Sequence, residues 1–148
     1  MKTQLRTDIT IADICKGFVY NEIEGKGLYG WNGKLIIQPE YQRNYIYNDG
    51  KKDVAVAQSV LRGFPLGLIY LTQRDDGMYE VLDGQQRITS LGRFRTNKLP
   101  IMFDGREQNY NSLNDELKAM FDNTPLTIYI CQGTEKEIKE WFQIINIG

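Results

Sequence analysis

The chain has 148 residues, 41% hydrophobic and 25% charged, with a formal net charge of −1. This is the make-up of a single globular domain with a real core, and it excludes a global basic field that would draw nucleic acid non-specifically. Histidine is absent, so histidine–metal nucleases, Ser-His-Asp hydrolases and Cys-His proteases cannot be assembled from this chain alone.

The first residues, MKTQLRTDIT, hold no apolar run that would read as a secretory leader. No apolar stretch reaches the roughly 20 residues of a membrane helix. Cys15 and Cys131 stand far apart and read as buried or idle thiols in a reducing compartment. A cytoplasmic protein with no membrane partner is the expectation; oligomeric state is not legible.

Along the chain, Asp8–Lys16 predicts a short helix capped by Asp8 or Thr10 and stopped by Gly17. Phe18–Glu22 reads as extended. Gly25–Gly33, with four glycines, reads as a loop or tight hairpin. Lys34–Gln38 predicts a strand ending at Pro39. Lys52–Arg62 predicts a helix with Val54, Ala57 and Leu61 on one face, stopped by Gly63 with Pro65 beyond. Leu68–Thr72 and Met78–Leu82 predict strands joined by an Asp75-Asp76-Gly77 turn. Gln85–Thr96 predicts a helix, Pro100–Phe103 a strand, Ser112–Asp122 a helix and Leu126–Cys131 a strand. Thr134–Ile145 predicts a helix with a Thr134/Glu137 capping box and Ile138, Trp141, Phe142 and Ile145 inward. Interleaved strands and helices give an α/β or α+β fold around a small mixed sheet. Residues 1–148 read as one domain, with 1–33 as an extension of less certain membership. The end at Gly148, just after an apolar-faced helix, gives the expectation of an N-terminal fragment of a longer protein.

VLDGQQRITSL (Val81–Leu91) poses the functional question. A strand ending at Leu82 runs through Asp83-Gly84 into a helix starting near Gln85. The first N–H groups of such a helix lack internal partners and carry partial positive charge, which makes an anion site. Gly84 lets a ligand approach the backbone, and Gln85 and Gln86 add amide donors. Arg87 is a cation near a positive helix end, unfavourable alone, and a bound phosphate would reverse that sign. Asp83 would then hold Mg²⁺ on the phosphates, orient water or pair with Arg87. The plain alternative is an Asp-Gly turn with Asp83 as helix cap. Glu80 is the nearest acid in sequence, but on a regular strand Glu80 and Asp83 point to opposite faces.

IIQPEYQRNYIYN (Ile36–Asn48) is a second unusual stretch. Gln42 and Arg43 sit among Tyr41, Tyr45 and Tyr47, either as a phosphate clamp with stacking rings or as a Tyr-rich cover over a sheet edge. LRGFPLGLIYL (Leu61–Leu71) reads as helix stop, loop and core strand. The Trp141/Phe142 face reads as core, and Arg93 and Arg95 as a solvated helix face.

PEYQRNYIY, LRGFPLGLIYL, VLDGQQRITSL and WFQIIN follow in the order and approximate spacing of GmrSD-type proteins, which carry a ParB-like nuclease domain at their N-terminus. The chain resembles that family over most of Ile36–Asn146; Tyr47 stands where the family pattern has Trp. The resemblance implies a ParB/sulfiredoxin-like fold. It also implies NTP binding and hydrolysis coupled to cleavage of modified DNA in phage defence. Carried over by position, the site is Gln42, Arg43, Asp83, Gly84, Gln85, Gln86, Arg87 and Thr89, with Asn146 as a weaker element. Asp83, Gln86 and Arg87 would be catalytic, Asp83 the Mg²⁺ ligand, and the rest nucleotide-binding. The family's nuclease chemistry is attributed to a C-terminal histidine-containing domain, so DNA, as a partner, would be cut by another domain or subunit. Two other readings stand beside this one: a module that senses a nucleotide or DNA phosphate without turnover, and a metal-dependent nuclease.

Overall fold

The computed structural model describes residues 1–38 and 50–147, with the side chains of 50–54 and 145–147 outside the description. Among the described residues the strands are β1 (Lys2–Arg6), β2 (Val19–Asn21), β3 (Lys26–Gly30), β4 (Leu35–Ile36), β5 (Leu68–Gln73), β6 (Tyr79–Asp83), β7 (Ile101–Phe103), β8 (Arg106–Gln108) and β9 (Thr127–Gln132). The helices are α1 (Ile11–Cys15), α2 (Gly50–Leu61), α3 (Gln85–Arg95), α4 (Asp115–Asn123) and α5 (Glu135–Ile147). A seven-stranded mixed sheet runs β1-β9-β5-β6-β4-β3-β2, and β7-β8 form a separate hairpin. The parallel pairs are β9/β5 and β6/β4; the other neighbours are antiparallel. The expected mixed architecture of strands and helices is therefore observed.

Alternation along the central strands divides the sheet into two unlike faces. Ile69, Leu71, Val81, Ile128 and Ile130 are buried on one face. They join one core with Ile11 and Ile14 of α1, Ala57 and Val60 of α2, Ile88, Leu91 and Phe94 of α3, and Phe121 of α4. The opposite face carries Tyr70, Thr72, Glu80 and Tyr129, which are only half-buried. Trp141 of α5 meets the Tyr70 ring edge-on at 5.1 Å there.

Three local differences from the sequence expectation have identifiable causes. β1 is a polar edge strand, exposed along most of KTQLR, whose sheet neighbour among the described residues is β9; no apolar alternation marks it. The glycine-dense stretch contains β3, because Gly27 and Gly30 are packing glycines. A Cβ on Gly30 would lie 2.7 Å from the Ile14 carbonyl oxygen, and one on Gly27 would lie 2.8 Å from Thr89 Oγ1. α4 starts at Asp115, since the Asn114 side chain accepts from Leu117 N–H at 2.8 Å and a 3-10 turn occupies Tyr110–Ser112.

Other expectations hold in detail. Thr10 caps α1 in a capping box with Asp13, and Thr134 caps α5 with Glu137. Cys15 and Cys131 are buried free thiols, and burial pushes the Cys15 thiol up to about 12. No helix among the described residues is long and apolar enough to cross a membrane.

Arg93 and Arg95 are not a solvated face. The Arg93 guanidinium lies 4.9 Å from the Tyr20 ring centroid. Arg95 lies 3.8 Å from the Tyr110 centroid, and its Nε donates to Asp122 at 2.8 Å. The Tyr110 hydroxyl donates to the same carboxylate at 2.7 Å, which ties α3, the 3-10 turn and α4 together. Burial, then the bond to Asp122, pushes the Tyr110 phenol up from 10.0 to about 12. Its contribution to stability is therefore full below pH 10 and lost as pH rises through about 12. Alkaline melting curves of the wild type should fall more steeply over that window than those of Tyr110→Phe. Asp122→Ala strands two partners and should cost about 1–3 kcal/mol, read as a lower melting temperature.

Candidate functional site

The candidate site forms where β6 gives way to α3, and its shape starts with a register shift. Leu71 pairs with Val81, whereas Tyr70 pairs with Asp83, so Leu82 is an extra residue in β6. The bulge overturns the parity expectation for Glu80 and Asp83. Thr72 pairs with Glu80 and Tyr70 with Asp83, and Tyr70 and Thr72 share a face. Both acids therefore lie on the half-covered face of the sheet.

Gly84 follows with φ 112° and leads directly into α3. A side chain there would be strained by conformation and by space, since its Cβ would lie 3.1 Å from Ile69 Cγ1 and 3.4 Å from Arg87 Nη2. Among the described residues no side chain caps the start of α3, and no acid occupies its first turn. By contrast α1, α4 and α5 start on Thr10, Asn114 and Thr134, each accepting from a first-turn N–H. The α3 terminus thus starts on a glycine that has no side chain to cap it, and its first turn carries partial positive charge.

Arg87 crosses this terminus. Its Nη1 donates to the Leu66 carbonyl at 2.8 Å, and its Nη2 lies 3.5 Å from Asp83 Oδ2. Gly67 and Gly84 bracket the guanidinium: a Cβ on Gly67, whose φ is 82°, would approach Nη1 to 3.0 Å. The side chains stay open to solvent, 25% for Arg87 and 46% for Asp83. At this exposure and separation the ion pair contributes under about 1 kcal/mol, weak enough for an anion to compete for the guanidinium.

Two of the sequence-derived residues turn inward. Gln85 is 2% exposed, and its amide donates to Val81 O at 3.1 Å and Leu82 O at 3.4 Å, carbonyls beside the bulge. Thr89 is buried on the side of α3 that meets Gly27 of β3. Asp83, Gly84 and Arg87 gather at the opening, and half-buried Gln86 holds the second position of α3. Gln42 and Arg43 lie outside the described residues, as does the side chain of Asn146.

The sequence reading missed the part played by the FPLG loop. Leu66 supplies the carbonyl that anchors Arg87, and Gly67 the close approach. The glycine after Pro65-Leu66 was the available signal, since a helix stop needs only Gly63. Also missed was Tyr70, which stands opposite Asp83, with Tyr129 stacked on it at 5.8 Å.

Mg²⁺ commonly keeps several waters and takes one or two carboxylates together with substrate phosphates. A half-exposed Asp83 fits that mode. Among the described residues no group of three or more Cys, Asp or Glu side chains converges to hold a metal without a phosphate.

The family model for the GmrSD restriction endonuclease N-terminal domain matches residues 25–148. No curated protein and no solved structure matches the chain. Gly84→Ala should lower stability by about 1–3 kcal/mol, because it places a side chain at positive φ against Ile69. Denaturant unfolding of the purified variant reads this directly.

Proposed function

Because the chain belongs to the GmrSD restriction endonuclease N-terminal domain family, and so to a component of a restriction and phage-defence system, we propose that its β6–α3 junction binds and hydrolyses a nucleoside triphosphate. The α3 start, which no described side chain caps, beside a part-buried Arg87 whose contact with Asp83 is weak, carries this reading. A polyanion there gains the helix dipole and the guanidinium together.

The groups divide the work. Backbone N–H groups at Gln85–Arg87 receive phosphate oxygens. Arg87 swings from Asp83 toward the negative charge that builds up as water adds to the terminal phosphorus and the bridging oxygen leaves. Asp83, once released, would serve as a Mg²⁺ ligand or orient the attacking water, and Gln86 offers an amide to the same water. Bound Mg²⁺ would neutralise phosphate charge. Positioning and electrostatics suffice, with no covalent intermediate. Gln42 and Arg43 would add a second clamp, and DNA cleavage would fall to a further domain or subunit.

A sensor that binds nucleotide without turnover is the second reading. It is favoured by Asp83 being, among the described residues, the one carboxylate placed at the opening, since Glu80 is already engaged by Arg74 at 3.3 Å. A saturating triphosphate with Mg²⁺ should raise the wild-type melting temperature by about 5–10 °C. Arg87→Ala should abolish this shift. Asp83→Ala should keep much of it while phosphate release falls at least about 100-fold, the scale of a lost catalytic acid or base. Binding with no phosphate release in the wild type selects the sensor. No stabilisation by any triphosphate removes both readings.

A further inference from the structure

A groove of about 720 Å³ lies between α5 and the β5–β6 hairpin end of the sheet's half-covered face. None of Asp83, Gly84, Gln85 or Arg87 lines it, and α3 packs on the other face of the sheet. The groove is therefore separate from the α3 terminus. Leu82 of β6 and Ile138 and Phe142 of α5 give it apolar walls, and Thr72 and Gln143 add hydrogen-bonding groups. Ile138 and Phe142 belong to the inward stripe of α5, yet both are only half-buried. Apolar surface is thus left for an occupant, in a volume typical of small-molecule sites.

The charges of the rim decide what can enter. The hairpin side carries Asp75, Asp76 and Glu80, and the helix side Glu135, against Arg74 and Lys139. One guanidinium serves two carboxylates, since Arg74 meets Asp76 at 3.0 Å and Glu80 at 3.3 Å. Lys139 meets Glu135 at 2.9 Å. Both cations are engaged and the acids remain in excess. The Glu80 side chain is only 14% exposed, so water and salt screen its charge little inside the groove. Anions are repelled here and cations drawn in.

The spread of the carboxylates narrows the kind of cation. Among the described residues no group of three or more Cys, Asp or Glu side chains converges as a bare metal ion would require. Acids instead line two rims on either side of an apolar floor. That pattern matches a flexible chain of ammonium groups joined by methylene runs, whose stem lies on apolar surface while its charged heads reach the rims.

We propose that the groove under α5 binds a linear aliphatic polyamine. Its methylene stem lies against Leu82, Ile138 and Phe142. One ammonium pairs with the carboxylates on the hairpin side, and another with Glu135 across the groove.

Calorimetric titration of spermidine into the full chain, with butylamine as the single-headed comparison, tests it. Spermidine should bind saturably at one site and at least about tenfold tighter than butylamine, the scale of two added part-screened ion pairs. Ile138→Trp fills the groove and leaves every rim charge in place. It should weaken spermidine at least about tenfold, with melting as the check that it folds. Glu135→Gln, at an exposed position, should weaken spermidine by several-fold and serves if the tryptophan variant does not fold. Glu140→Gln, which does not line the groove, should leave the affinity within about twofold of wild type. Absence of spermidine binding overturns the proposal. So does binding that Mg²⁺ at equal ionic strength removes in full, or an affinity unchanged in folded Ile138→Trp or in Glu135→Gln. Tighter binding of a capped trilysine peptide of the same charge would assign the groove to a protein segment and overturn it as well. No phosphate is present in these titrations, so every outcome bears on the groove alone.

Discussion

α3 is enclosed along most of its length: Gln85, Ile88, Thr89, Ser90, Leu91, Gly92 and Phe94 are all buried, and α1, α2 and β3 pack around it. Gly92 has no room for a Cβ, which would lie 2.3 Å from the Phe18 ring. A helix held this way cannot slide or tilt without breaking the core. Its first turn is therefore fixed relative to the end of β6, and the opening at Asp83–Gly84 is set in advance of any ligand. The buried Gln85 amide, bonded to carbonyls beside the Leu82 bulge, pins the joint from within.

The joint has an outer fastening as well. Arg87 reaches back to the Leu66 carbonyl and links the loop before β5 to the turn after β6. This gives one residue two uses, and they have different physical signatures. The bond to Leu66 is charge-assisted and well aligned with a structural role. The longer contact with Asp83 is exposed and weak, which leaves part of the guanidinium available. A residue with one firm and one exchangeable partner can change the second without disturbing the first.

Much of this was legible in the sequence, and the misses follow from physics. Helix starts with a Ser/Thr or Asn followed three residues on by a reciprocal acid were readable where the cap is local, as at Thr134 and Glu137. The strand–turn–helix around Asp83–Gln85 was readable because apolar residues stop and restart on either side of it. β1 was not, since an exposed edge strand in a polar sequence leaves no periodic signal. β8 was missed although Asp104-Gly105, at φ 56° and 78°, is a two-residue hairpin turn that the dipeptide itself advertises. Bulges escape sequence parity altogether: one inserted residue at Leu82 carried Asp83 to the face of Glu80. Gln85 and Thr89 show the limit of motif reading, because DGQQRIT does not say which of its polar side chains turn inward to hold the helix. Family membership rests on residues 25–148, while the structure adds that β1 and α1, which precede that span, pair with β9 and pack on α3 and α4.

The central claim is that the first turn of α3 is a preformed seat for a polyanion. Backbone amide resonances of the isotopically labelled chain, followed by NMR during a tripolyphosphate titration, test it most directly. The account predicts saturable shifts centred on the amides of Gly84, Gln85, Gln86 and Arg87, weakening as salt is raised. Shifts confined to other surfaces, or none at those four amides at saturating ligand, would contradict it.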